Sequence, residues 1–135
     1  MRGYTYPSHY PENCPPEPYT EIPENYHRMV LNGDGIRLRD FKSYYERKKR
    51  VDPEKENGCK QRSVSLFKDK EEAINVLYQF PGIPYRYIAR IYLSGGHGVI
   101  HHTPNDNGKS HHDWWIPNDV DPTKFKCEIS GPYNK

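Results

Sequence analysis

Long apolar runs are missing from this chain: no stretch approaches the roughly 20 apolar residues that a membrane-crossing helix needs. The N-terminus lacks the apolar core of a signal peptide, so the expectation is a soluble, cytoplasmic protein, or one exported without such a signal as part of a longer effector. An excess of one charge is lacking too. Twenty basic residues stand against eighteen acidic ones, a net charge of +2, which gives no warrant for a nucleic-acid or membrane partner. Cysteine is scarce and odd in number. Cys14, Cys59 and Cys127 are too far apart for a zinc knuckle and too few for a disulfide framework, so buried or incidental thiols are expected. Aliphatic residues are few, with hydrophobic content at 33%, but twelve tyrosines and two tryptophans lift the aromatic share to 13%. Tyrosine buries its ring and wets its hydroxyl, so a modest aromatic-rich core is feasible. A length of 135 residues is one domain's worth.

Residues 1–25 hold six of the thirteen prolines and almost no aliphatic side chain. Proline removes backbone donors and fixes φ, so this segment reads as an extended arm or linker ahead of a single domain over 26–135. The tyrosines at 4, 6, 10 and 19 can lie flat on an apolar surface, which predicts that the later part of the arm packs and its first residues are mobile. Alternation begins at "YHRMVL", with Tyr26, Arg28 and Val30 on one face, and "NGDG" ends that strand. "IRLRDFKSYYERKKR" predicts a helix whose apolar face is Leu38, Phe41, Tyr44 and Tyr45. "VDPEKENGCKQR" has neither period and reads as a mobile loop. A short strand "SVSLF" runs into a helix with Asp69 as N-cap, Glu72 three residues on, and Ala73, Val76, Leu77 and Phe80 as its stripe. "YRYIARIYL" is a strand with Tyr87, Ala89, Ile91 and Leu93 on one face, and "GVIHH", "HHDWWI" and "TKFKCEI" complete the set. The sum is an α+β domain.

Three features occur in order. A strand carries a mid-strand arginine ("YHRMV"), a serine-rich strand runs directly into a helix ("SVSLF"), and an acid starts a strand ending in proline ("DWWIPNDVDPTKFKCEI"). This order resembles the arginine, serine and glutamate motifs of the ADP-ribosyltransferase superfamily, which includes bacterial mono-ADP-ribosylating toxins, over roughly residues 26–129. The resemblance implies a split, mostly antiparallel sheet with a few flanking helices. It also implies transfer of ADP-ribose from NAD, as substrate, to a macromolecular acceptor such as a protein, and an immunity protein as a partner.

On the same resemblance, Arg28 would hold the cofactor's phosphates, a task suited to a planar, permanently charged donor fork. Ser63 would face the nicotinamide ribose and Ser65 would tie neighbouring strands. Asp113 falls at the catalytic glutamate, where it would stabilise the positive charge that develops as nicotinamide departs. His111 falls at the upstream position of the Glu-x-Glu motif, which helps choose the acceptor. Three residues depart from the pattern. Asp113 is one methylene shorter than glutamate, Val64 replaces the central threonine, and His111 is not the acid of arginine-modifying members. An active enzyme with another acceptor and a degenerate domain that only binds are both consistent with these changes.

Other readings use the same residues. Arg28 also suits an ordinary strand ion pair, Ser63 and Ser65 a solvent-facing strand, and Asp113 a strand cap. His101, His102, His111 and His112 flank a "TPNDNGKS" loop, as the ends of one hairpin. Adjacent strand residues point to opposite faces, so at most one histidine of each pair reaches a given site, and no metal is expected. A metal-independent ribonuclease toxin would use His111 or His112 with Arg90 and Lys109, but the balanced charge counts against an RNA channel. A non-catalytic immunity or interaction module would use the tyrosines and tryptophans as an interface. In "SHHDWWIP", Trp114 and Trp115 should point to opposite faces, one into the core and one lining or covering a cleft. His111 and Asp113 should share a face, with His112 turned away.

Overall fold

In a computed structural model, residues 5–16, 24–48, 58–93 and 97–134 are described. Six strands form one open sheet: β1 (Glu24–Val30), β2 (Val64–Phe67), β3 (Tyr87–Leu93), β4 (Val99–His102), β5 (His111–Trp115) and β6 (Cys127–Ser130). Their spatial order is β4-β5-β2-β1-β3-β6, and every neighbouring pair is antiparallel. Among the described residues, two α-helices accompany it, the single-turn α1 (Tyr44–Lys48) and the longer α2 (Lys70–Gln79). The architecture is α+β with an open antiparallel sheet.

The central junction is not a full ladder. β1 pairs with β3 along its whole length, from Glu24 opposite Leu93 to Val30 opposite Tyr87. Between β1 and β2 the one Cα pairing among the described residues is His27 with Phe67. Past that bridge, toward Val30 and Val64, these two strands carry no further pairing among the described residues.

Each face of the sheet has its own core. Tyr26, Val30, Val64, Leu66, Ala89, Ile91, Leu93, Ile100 and Trp114 pack with Phe41 on one side. On the other, Phe67 and Ile88 meet Ala73, Val76 and Leu77 of α2. Pleat alternation sorts these residues as the sequence pattern predicts for β1 and β3.

The first helix departs from expectation. In place of one continuous helix over 36–50, there is a 3-10 turn (Leu38–Phe41), a break at Lys42 and Ser43, and then α1. Asp40 holds the first piece by accepting from the backbone N–H of Arg37 (2.8 Å) and of Leu31 (3.2 Å). Ser43 and Glu46 form a reciprocal capping box, with Ser43 N–H on Glu46 Oε1 and Glu46 N–H on Ser43 Oγ. A cap starts a new helix, so the apolar face is interrupted. Phe41 is buried, but Leu38 and Tyr44 are exposed. Residues 49 and 50 lie outside the described residues.

The cysteine expectation is corrected. Cys14 and Cys59 form a disulfide across 45 positions, and Cys127 alone remains a thiol. Sequence spacing could not show this, because it is the path of the proline-rich arm that brings Cys14 to Cys59. Within residues 5–16 there are turns and no helix or strand. The Thr5 carbonyl accepts from Asn118 N–H, the Tyr10 hydroxyl donates to the Arg62 carbonyl, and the His9 ring stacks on Tyr45. Burial pushes the Tyr10 phenol well above its ordinary range. The expected mobility of the arm's first residues falls on 1–4, outside the described residues, as does 17–23 of the arm's later part, expected to pack. Most of the expected mobile loop over 51–62 falls on 51–57, also outside them. The end of that loop is fixed: Cys59 carries the disulfide, and Lys60–Arg62 form a 3-10 turn.

Candidate functional site

Five residues singled out in the sequence, Arg28, Ser63, Ser65, His111 and Asp113, line one cleft of about 490 Å3. That volume lies within the roughly 300–1,000 Å3 usual for small-molecule sites. Strand register brings them together. Ser65 on β2 lies directly opposite Asp113 on β5, and Phe67 lies opposite His111. Ser65, Phe67, His111, Asp113 and Trp115 consequently share one face.

Arg28 belongs to the other face by pleat, since its neighbour His27 is the residue opposite Phe67. Its guanidinium reaches the cleft through the split between β1 and β2. Nη1 donates to the Ser65 carbonyl (2.7 Å) and Nε to the Asp40 carbonyl (2.7 Å). A ladder that continued past His27 and Phe67 would close this passage. The split is what lets a residue of one face serve a site on the other.

Both of these partners are neutral carbonyls, and among the described residues no carboxylate lies within ion-pairing distance of the guanidinium. Burial pushes Arg28 down to about 10, so it is still charged at neutral pH. A buried cation with N–H groups left over is suited to an anionic ligand. An ordinary ion pair is not how this arginine is held.

Among the described residues, Asp113 is the only acid on the cleft wall. Its side chain is 3% exposed, and Oδ2 lies 2.8 Å from the Lys60 ammonium, which is itself 52% exposed. Lys42 and Arg47 also line the cleft, so its described wall carries four cations, of which Lys60 meets the carboxylate. Tyr44 stands at the wall with Arg47 against its ring, 5.8 Å from the centroid. Sequence reasoning missed Lys42, Tyr44, Arg47 and Lys60. The capping signal Ser43-x-x-Glu46 would have moved the helix start and turned Tyr44 from core to surface. For Lys60 no sequence signal exists, because the contact spans 53 positions.

The serines contribute differently from each other. The Ser63 hydroxyl donates to the Lys60 carbonyl (2.7 Å) and so fixes the turn that carries Lys60. In Ser65 it is the backbone carbonyl that binds Arg28 and links β2 to the arginine.

His111 Nδ1 sits 3.0 Å from both the carbonyl oxygen and the hydroxyl of Thr103, so it finds a partner there in either tautomer. Burial holds His111 below the ordinary histidine range, partly offset by the nearby Asp113 charge. His112 faces the opposite side, packed edge-on to Tyr26 and stacked on His102. His111 and His112 therefore do not share a site, and Arg90 and Lys109 are not on the cleft wall. Arg90 pairs instead with Glu128. Among the described residues no three His, Cys, Asp or Glu side chains group as a metal ion would require.

The tryptophans point to opposite faces as their alternation predicts, but both are buried and neither lines the cleft. Trp114 is fully buried in the aromatic core between Phe41 and Phe125, with Nε1 donating to the His97 carbonyl. Trp115 is buried on the face opposite Trp114, off the cleft wall; its Nε1 donates to the Cys59 carbonyl (2.9 Å), pinning residues 58–62 over the sheet. Gly98 makes room for this strand end. Its φ is +119°, and a Cβ there would come within 2.3 Å of the Trp115 carbonyl oxygen. Among the described residues, no helix is long and apolar enough to cross a membrane.

No protein-family model, curated protein or solved structure matches the chain.

Proposed function

We propose that the chain is an ADP-ribosyltransferase-type domain that takes NAD as substrate and transfers ADP-ribose to a macromolecular acceptor, as a toxin or effector. The observation that carries this reading is the meeting of Arg28, Ser63, Ser65, His111 and Asp113 on one cleft, at the split of an antiparallel sheet. Motif order in the sequence points to these residues, and they come from three different strands and a turn.

The chemistry of the wall fits the substrate class. A dinucleotide brings a pyrophosphate, and Arg28, Lys42, Arg47 and Lys60 give the cleft a positive surplus. A ring of the substrate would find the exposed face of Tyr44. In the transfer, the bond between nicotinamide and the ribose carbon breaks, and the electron pair leaves with nicotinamide. The acceptor's nucleophile then bonds that carbon and gives up its proton. The buried Asp113 carboxylate stabilises the positive charge that builds on the ribose, and in a water-poor site such a fixed charge acts strongly.

His111, held toward its neutral form by burial, stands where arginine-modifying members carry an acid, which favours an acceptor other than arginine. The test is direct. Purified chain incubated with NAD should release nicotinamide, and faster with the right acceptor present. NAD that stays intact and unbound would refute the reading.

A further inference from the structure

The pairing of Lys60 with Asp113 sets a half-exposed cation on a buried carboxylate, the very group on which the proposed transfer depends. The lysine's anchor is rigid. Its residue opens the 3-10 turn after Cys59, which is tied to Cys14 by the disulfide, to Trp115 through its carbonyl, and to Ser63 through the Lys60 carbonyl. Arg62, two positions on, donates to the carbonyls of His9 and Gly58. With the backbone held at these points, the freedom to meet a ligand lies in the side chain. An ammonium is a compact charge on a four-carbon stem with three rotatable donors, and Asp113 takes one of them.

We propose that Lys60 is a substrate-positioning residue that exchanges partners. Its ammonium neutralises Asp113 until a pyrophosphate-bearing substrate enters the cleft, then turns to the phosphate oxygens and leaves the carboxylate facing the ribose. This rests on the ADP-ribosyltransferase reading and adds a role for a residue outside the motifs. Two physical facts favour the exchange. An ion pair with one partner half in water is held weakly, whereas a carboxylate buried with no cation is costly, so Asp113 needs a neutraliser that can be surrendered. The pyrophosphate also carries more negative charge than one carboxylate, and Arg28, Lys42 and Arg47 on the same wall would hold it within reach of Lys60.

The test titrates the full chain calorimetrically with ADP-ribose and, separately, with nicotinamide riboside, which lacks the pyrophosphate. Lys60→Gln should weaken ADP-ribose binding about tenfold, the loss of one charge-assisted hydrogen bond, and leave nicotinamide riboside unchanged. Lys60→Arg should restore most of the affinity. Because Lys60→Gln leaves Asp113 buried without a cation, the double variant Lys60→Gln/Asp113→Asn is compared with Asp113→Asn alone, and relative to it should lose ADP-ribose affinity about tenfold with no further change for nicotinamide riboside. ADP-ribose binding as strong in the double variant as in Asp113→Asn overturns the exchange. An equal loss for both ligands also overturns it, in favour of a purely structural lysine. Wild-type chain that binds neither ligand removes the underlying reading, and the proposal with it.

Discussion

The carboxylate of Asp113 meets one cation, and that cation stands half in water. Asp113→Asn keeps the shape of the side chain and releases Lys60 to solvent, so it should change the melting temperature little. If the carboxylate stabilises charge on the ribose, the same change should lower nicotinamide release by about a hundredfold or more. A fully active Asp113→Asn enzyme would move the chemistry elsewhere on the wall. The histidines make a separate prediction. Burial lowers His27, His111 and His112 below the ordinary value of about 6.5, because the charged imidazolium is the form disfavoured inside. Their neutral folded forms support stability fully above about pH 6.5. As pH falls below that value, the unfolded chain takes up protons that the folded chain resists, and the support is lost toward the lower folded values. The melting temperature should therefore drop between about pH 7 and pH 5. A flat or rising profile over that window would show that these rings do not titrate as their burial implies.

At the level of elements, the hairpin that carries His111 depends on helix α2. The sequence places Asp69 and Glu72 as a capping box, but only half of it forms. Asp69 Oδ1 accepts from Glu71 N–H, while Glu72 turns outward to accept from Lys109 N–H, Ser110 N–H and Ser110 Oγ. Those donors hold the Glu72 carboxyl below its usual range, the Ser110 hydroxyl foremost. The loop over 103–110, with Asn105 and Asn107 at the cleft, is thereby clamped to the helix. Glu72→Ala should speed amide hydrogen exchange at Lys109 and Ser110 by roughly tenfold or more while the α2 core stays protected. Unchanged exchange would mean the strands alone hold the loop.

The strands were legible because β1 and β3 alternate cleanly, and the core residues followed from that. The stripe of α2 was legible in Ala73, Val76 and Leu77, but Phe80 lies at the C-cap, where it is exposed. The five cleft residues were legible through motif order. Lys60, Lys42 and Arg47 were not, since a long-range ion pair and the rim of a cleft leave no periodicity behind.

On the scale of the whole molecule, the arm and the cleft are mechanically linked. The disulfide joins Cys14 of the arm to Cys59, the residue before Lys60, and closes a loop of 45 positions. In the chain-entropy view such a closure stabilises by up to about 4 kcal/mol. Cys14→Ser should then lower the melting temperature by roughly ten degrees. A variant that melts with the wild type would mean that the hydrogen bonds and ring stacking of residues 5–16 suffice to hold the arm. Truncation to about residue 20 removes the disulfide together with those contacts, so its cost should exceed that of Cys14→Ser.

The central claim is that the split between β1 and β2 opens a dinucleotide site fed from both faces of the sheet. The most direct measurement is a backbone amide chemical-shift map of the full chain titrated with NAD. The account predicts saturable shifts at Arg28, Ser63, Ser65, His111 and Asp113, with Lys60 and Tyr44 following. Shifts confined to the opposite face around Tyr26 and His112, or none at millimolar NAD, would contradict it.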